Sequence, residues 1–148
     1  MYWYRGSDAM WDNYAKITGD EGWAWKSVSE YYRKTSRLVT PQDGRDITGE
    51  ADPSAHGDGP VNVTLFSSLP PVISTIEGIA KSSEGQFAFN CDYNSGNTLG
   101  IVYSQYSAGG GIHNNGATAY LQPAIPRSNL DVLIHTRATK HVPIQFLR

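Results

Sequence analysis

Four histidines, one cysteine and a few pairs of polar residues are the chain's candidates for chemistry. His56, His113, His135 and His141 are spaced so that none has the i, i+4 partner of a helical zinc-protease site. His135 and His141 flank a β-like stretch, where a histidine is more often structural or solvated than a ligand. Cys91 has no second cysteine, so it forms neither an internal disulfide nor a multi-cysteine zinc site. It reads as a small buried or half-buried side chain. Asp92 and Asn94 are two residues apart and share one side of an extended chain. That spacing suits an Asx turn, in which the side chain accepts from nearby backbone N–H groups. The alternative is a site for a cation or a hydroxyl. Asp20 and Glu21 are adjacent and point apart, a poor arrangement for acid–base work. Gly109-Gly-Gly111 invites a phosphate-loop reading, but no Gly-Lys-Ser/Thr follows and no strand–Gly-x-Gly-x-x-Gly–helix unit surrounds it. It reads instead as a mobile loop. There is no Gly-x-Ser-x-Gly elbow. These residues alone describe an α+β piece with no assignable reaction.

The elements that must position these groups follow from periodicity and punctuation. Asp8 to Lys16 carries Met10, Trp11, Tyr14 and Ala15 at helical spacing, with Ser7 and Asp8 placed to cap it. Thr18-Gly-Asp-Glu-Gly22 breaks that pattern. Trp25 to Leu38 reads as the second helix, its apolar face Trp25, Val28, Tyr31 and Tyr32, with Arg33, Lys34 and Arg37 near its C-terminal end. Trp23 and Trp25 read as core. Glycines and prolines make residues 39–60 a loop. Val61 to Phe66 alternates and reads as a strand. Pro70-Pro71 opens a helix whose face is Val72, Ile76, Ile79 and Ala80. Phe87 to Phe89 is a short apolar run, and Cys91 to Gly96 a turn. Leu99 to Tyr106 reads as a second strand, Ala108 to Gly116 as a loop, and Ala117 to Pro123 as a short helix. Leu130 to His135 reads as a buried strand, extended or paired by Thr136 to Val142.

Composition bounds the partners. The net charge is −2 and the pI about 6.0, without the basic stripe of a nucleic-acid surface. No stretch approaches the ~18 apolar residues of a membrane span. The expectation is therefore neither nucleic acid nor membrane. At 148 residues the chain is long enough for one domain. Yet Met1-Tyr-Trp-Tyr4 and the apolar end Val142 to Leu147 both read as cut from something larger. No signal peptide is visible, and Asn62-Val63-Thr64 is a glycosylation sequon.

Several stretches taken in order are similar to the glucose–methanol–choline (GMC) family of FAD-dependent alcohol oxidoreductases. Arg5-Gly6-Ser7 with Trp11-Asp12 and Tyr14-Ala15 resembles the segment after the family's flavin-pyrophosphate region. Thr18-Gly-Asp-Glu-Gly-Trp-Ala-Trp25 with Tyr31-Tyr32 resembles its Gly-Trp-x-Trp helix entry. His56-Gly57 with Gly59-Pro60-Val61 resembles its turn into the substrate domain. Asp92, Asn94, Gly96, Gly100 and Gln105 follow in the family's order. Ala119-Tyr-Leu121 and Asn129-Leu-Asp-Val-Leu133 complete the set, which spans residues 1–142. The wording is closest to the aryl-alcohol oxidase branch.

The resemblance implies an α+β fold: a partial FAD-binding domain over residues 1–60 and 118–148, and part of the antiparallel-sheet substrate domain over 61–117. It implies FAD as cofactor, a small-molecule primary alcohol as substrate, an aryl alcohol among the candidates, and oxygen or a quinone as acceptor. Met1 and Tyr2 match the stretch whose backbone lies against the flavin. Ala138 falls where a backbone contact reaches the adenine; such a contact tolerates the change from the family's usual valine. One departure stands out. Gly111-Ile-His113 replaces a run that often carries arginine, so a permanent cation gives way to imidazole. The dinucleotide glycine motif and the C-terminal histidine that serves the family as base are not in this sequence, so no catalytic residue is assigned. The expectation is a segment inactive alone, set against a non-catalytic truncated product or a small binding module on the same scaffold. Intact fungal relatives are expected to be secreted.

Overall fold

The computed structural model describes residues 1–140, so His141 and Val142 lie outside the described residues. Helix α1 spans Asp8–Thr18. Ser7 caps it by accepting from the Met10 N–H, and Gly19 closes it in the left-handed region at φ 67°. Asp20 then caps a short 3₁₀ turn, Glu21–Trp23. Helix α2, Trp25–Thr35, starts against α1, because Asp12 Oδ1 accepts from the Trp25 N–H at 2.9 Å. Trp11 joins the helices: it stacks on Trp23 at 6.3 Å and meets Tyr32 edge-on at 5.8 Å.

Two expectations for this region are corrected. Helix α2 ends at Thr35 rather than Leu38, and strand β1, Ser36–Leu38, follows at once. Ser36 is extended, and its carbonyl accepts from both Gly57 N–H (3.0 Å) and Gly59 N–H (3.3 Å). Tertiary bonds thus override local helical preference. The buried face is also different. Ala24 and Ser29 are buried, Trp25 and Tyr32 are half-buried, and Tyr31 and Trp23 are exposed.

Strand β2, Val61–Val63, pairs with β1 in parallel, Ser36 opposite Val61 and Leu38 opposite Val63. The expected strand Val61 to Phe66 is thus paired at its start. Val61 and Val63 form the apolar core with Ala119, and Trp3 packs on it. The chain continues past β2 into a bridge between Thr64 and Tyr106, which in turn bridges to Tyr2.

Helix α3, Val72–Lys81, forms where the two prolines predict it. Its packed face is offset from the expected one. Ala80 is fully buried and Ile73 and Glu77 are half-buried, while Val72, Ile76 and Ile79 face solvent. On the inward side, the Tyr103 hydroxyl donates to Glu77 at 3.0 Å.

Leu99 to Tyr106 is not a strand; only Ile101 and Tyr106 make bridges. Gly100, at φ 112°, breaks the extended run near its start. Ala108 to Gly116 is not a mobile loop, because it contains a hairpin of β3, Ala108–Gly109, and β4, Ile112–His113. Gly110 and Gly111 hold its turn at φ 59° and 78°, both positive as a type I′ turn requires. Gly109 completes the run for a different reason: a Cβ there would come within 2.7 Å of the Asn62 side chain. Ala117–Leu121 forms a π-helical turn that runs into Gln122–Ala124, as the expected short helix. Leu130 to His135 is neither strand nor buried. Val132, Leu133 and Ile134 are exposed, and no partner strand lies beside them among the described residues. No helix among the described residues is long and apolar enough to cross a membrane.

Candidate functional site

Two features hold polar groups at close range: a closed network behind the N-terminal segment, and the edge that this network supports.

In the network, Ser36 Oγ lies 3.1 Å from His56 Nδ1, and His56 Nε2 lies 3.6 Å from Asp92 Oδ2. The order Ser–His–carboxylate suggests nucleophilic catalysis. Burial rules that out, because Ser36, His56 and Asp92 are 0%, 5% and 2% exposed and no substrate reaches the hydroxyl. Arg5 also donates from Nη2 to Ser36 Oγ at 2.6 Å, directing a cation at the would-be nucleophile. The same Nη2 lies 3.3 Å from His56 Nδ1, which makes Nδ1 the acceptor and leaves the ring proton on Nε2, facing Asp92. At 3.6 Å that contact is electrostatic rather than a hydrogen bond. Arg5 Nη1 also donates to the Ala55 carbonyl. The cluster therefore ties the α2–β1 junction, the turn at residues 53–56 and the turn at 92–95 to one guanidinium.

Arg5 and Asp92 carry the opposed buried charges. Burial pulls the Arg5 pKa down to about 10, partly restored by Asp92, so the group stays charged at neutral pH. Burial pushes the Asp92 carboxyl up, but the facing His56 imidazole and hydrogen bonds from the Asn94 N–H and Gln105 outweigh it, and its pKa ends below the ordinary value. The expected Asx turn is present: Asn94 N–H donates to Asp92 Oδ1 at 2.7 Å. The sequence places Asp92 and Asn94 on one side. It gives no reason to bring Arg5, Ser36 and His56 to them, since those contacts close over 31 to 89 residues.

The edge is the run Met1 to Trp3. Trp3 N–H donates to the Gln105 carbonyl, and Ser107 N–H donates to the Met1 carbonyl, both at 2.9 Å. Tyr106 exchanges both backbone bonds with Thr64 on its other side, at 2.8 and 2.9 Å. The lateral order is therefore Tyr2, Tyr106, Thr64, with Tyr2 outermost. In an antiparallel ladder, the residue between two such bonds turns its own N–H and C=O to the opposite side. Tyr2 does so, and among the described residues neither group has a partner. The rings of Tyr2 and Tyr106 lie 5.0 Å apart, and Phe66 lies 4.2 Å from Tyr106. Burial, then the neighbouring Tyr2 hydroxyl, pushes the Tyr106 phenol up to about 12.

Beside this edge a cleft of about 260 Å³ is lined by Met1, Thr64, Phe66, Tyr106, Gly111 and His113. The departure at His113 thus stands on the wall of the same cleft as Met1. Ala138 lies elsewhere, in the exposed stretch after His135, and no hydrogen bond among the described residues joins it to Met1 or Tyr2. His135 is exposed, with φ 55°. Cys91 is half-buried, as expected. No cluster of metal-ligating side chains occurs among the described residues. The Asn62 side chain rests against Gly109, and the buried Thr64 hydroxyl has no partner, so the folded chain does not present the sequon freely.

A flavin fits this edge in one respect. Tyr2 offers a free peptide N–H and C=O beside exposed aromatic rings. The sequence has no Gly-x-Gly-x-x-Gly turn to hold a pyrophosphate, so the fit extends to one side of the cofactor only.

Comparison with known proteins bears on this geometry. The family profile described as GMC oxidoreductase matches residues 1–145. Dehydrogenase eriK of Hericium erinaceus is 34% identical over 96% of this chain and 24% of its own length. Pyranose dehydrogenase 3 of Leucoagaricus meleagris is 30% identical over 95% of this chain and 23% of its own. Among solved structures, an FAD-dependent oxidoreductase from Chaetomium thermophilum superposes with a TM-score of 0.68 at 19% identity, covering 84% of this chain and 22% of that one. Pyridoxine 4-oxidase from Mesorbium loti gives 0.64 at 20%, covering 84% and 23%. The chain thus spans about a quarter of the length of the relatives it matches.

Proposed function

This chain belongs to the GMC oxidoreductase family, and from that premise we propose that it forms the flavin-facing edge of an FAD-dependent enzyme oxidising the CH–OH group of a primary alcohol to the aldehyde. The observation that carries this reading is the outward peptide of Tyr2, unpartnered and held beside a cleft. FAD, when bound, supplies the hydride acceptor. Met1 and Tyr2 present backbone to the flavin, the aromatic rings around Tyr106 exclude water beside it, and the Ala138 backbone lies toward the adenine. No residue here is assigned to move the alcohol proton. An aryl alcohol is the first substrate to test, and oxygen or a quinone would take the electrons onward.

In this reading residues 1–60 and 118–148 serve the FAD domain, and 61–117 the substrate domain. The segment does not hold FAD alone. Support comes from exposed apolar side chains on α3 and at Leu133 and Ile134, which favour packing against further protein over a self-contained binding module. The test compares the purified 148-residue chain with a protein of the relatives' length that contains it. The longer protein is expected to show a flavin spectrum that bleaches anaerobically with an aryl alcohol, and the short chain none. A stoichiometric flavin on the short chain, or none on the long one, sinks the proposal.

A further inference from the structure

Asp92, Gln105 and Asn94 form a relay of hydrogen bonds with a single possible direction. Gln105 Nε2 donates to Asp92 Oδ2 at 2.7 Å. Asn94 Nδ2 donates to Gln105 Oε1 at 2.7 Å, and Asn94 Oδ1 accepts from the Arg5 N–H at 3.0 Å. An amide can turn end for end, so its orientation is set by its neighbours. Here both ends are fixed. The carboxylate only accepts, and the Arg5 backbone N–H only donates. Gln105 and Asn94 must therefore each point one way.

All three side chains are fully or almost fully buried, and their outlets lead to the N-terminal edge. Asn94 Nδ2 also lies 3.2 Å from the Trp3 carbonyl. The Tyr93 hydroxyl donates to that carbonyl at 2.7 Å and accepts from the Gln105 N–H at 3.1 Å. The Gln105 carbonyl accepts from the Trp3 N–H. The Trp3 carbonyl and the Arg5 N–H thus each meet the Asn94 side chain, which Asp92 orients through Gln105, while the Trp3 N–H rests on the Gln105 backbone. Tyr2 is next to Trp3, and among the described residues its own backbone groups have no partner.

We propose that Asp92 is a positioning residue for the cofactor: through the polarity of the Gln105–Asn94 relay it fixes the Tyr2 peptide that faces the flavin. This rests on the flavin reading above. It adds a residue that touches neither cofactor nor substrate.

The polarity makes the test specific. In Asp92→Asn, the new amide sets N–H against Gln105 Nε2 or against the Asn94 N–H. If Gln105 and Asn94 both turn to accommodate it, Asn94 Nδ2 meets the Arg5 N–H. Every arrangement leaves donor facing donor. In the double variant Asp92→Asn with Gln105→Glu, the residue 92 amide donates to the new carboxylate, which still accepts from Asn94. Direction along the relay is restored, at the loss of the 3.2 Å contact from the Asp52 N–H and of the His56 Nε2–H facing a carboxylate at 3.6 Å.

The experiment uses the flavin-loaded protein and reads the visible circular dichroism of bound flavin and FAD retention, with melting temperature alongside. D92N is expected to alter the dichroic bands and weaken FAD retention on the order of tenfold. The double variant is expected to recover most of both. A D92N protein that melts earlier but keeps wild-type flavin bands overturns the proposal, and so does a double variant no better than D92N. If D92N does not fold, Gln105→Met decides, because it cuts the relay between Asp92 and Asn94 at similar side-chain length: altered bands support the role, and unchanged bands overturn it. A wild-type protein that binds no flavin removes the functional reading itself, and this inference with it.

Discussion

Replacing Gly59 with alanine should be among the most damaging single-methyl changes in this chain. Gly59 follows β1's contact turn and needs no unusual φ, so the cost is purely one of space. A Cβ there would overlap the Thr35 carbonyl carbon and the Ser36 nitrogen and sit 2.5 Å from the Thr35 oxygen. All three are backbone atoms at the α2–β1 junction and cannot rotate away. Overpacking alone costs about 1–3 kcal/mol, and rigid neighbours put this site at the upper end. Displacement also strains the bonds from Gly57 and Gly59 N–H to the Ser36 carbonyl, each worth about 1 kcal/mol. The sum is about 3–5 kcal/mol, or a melting shift of about 6–20 °C for a domain of this size. Urea unfolding of wild type and G59A gives the number directly. The control is Gly116→Ala, where no atom lies within 4 Å and φ is helical; it should be neutral or slightly stabilising. A G59A protein within about 0.5 kcal/mol of wild type would show that the turn does not press on the helix end, and the reasoning fails.

Three further outcomes follow from the site and its supports. Ser7→Ala removes the α1 cap and should cost about 1 kcal/mol, read from the same urea midpoints. The Asp92 pKa lies below its ordinary 3.8 when folded, so its contribution is complete above that pH and is lost as pH falls through the lower folded value. Wild type should lose stability in that acid window, and D92N should lose less there; parallel slopes would count against the network. Tyr103 and Tyr106 should ionise near 12, Tyr103 through burial and then its bond to Glu77, so alkaline absorbance should show these two phenols titrating late, with Tyr32 and Tyr93 also raised by burial; all phenols ionising together near 10 would contradict the packing.

Much of the local structure was legible because it depends on residues close in sequence. Ser7, Gly19 and the prolines at 70 and 71 mark helix ends whatever the tertiary fold. The Asx turn at Asp92 needs only residues 92–94. What was not legible depends on partners far along the chain. Ser36 leaves helix geometry because Gly57 and Gly59 donate to it. The packed face of α3 carries Glu77 bonded to Tyr103, and apolar periodicity cannot foresee a hydroxyl donating to a carboxylate there. Leu130 to Ile134 has a buried strand's composition, but a strand needs a neighbour, and among the described residues it has none. The site divides in the same way. The assignment of Met1 and Tyr2 rests on resemblance to a family stretch. Arg5 enters only within a family motif, and His56 only there and as one of four histidines without a helical partner, with no hint that they share a buried cluster with Ser36 and Asp92.

The edge at Met1 to Trp3 also has a consequence in time. Its anchors are Tyr93, Asn94, Gln105 and Ser107, 90 to 106 residues further along the chain. Closing a loop that long costs only modestly more entropy than closing a short one, so equilibrium stability is little affected, but order of assembly is. A ribosome adding roughly 5–20 residues per second exposes the first three residues several seconds before their anchors exist. During that interval the aromatic run Tyr2-Trp3-Tyr4 has no ladder to join. The ladder at Met1 to Trp3 can form only after residue 107 has emerged, so in the proposed function any cofactor contact through it follows synthesis of this whole stretch.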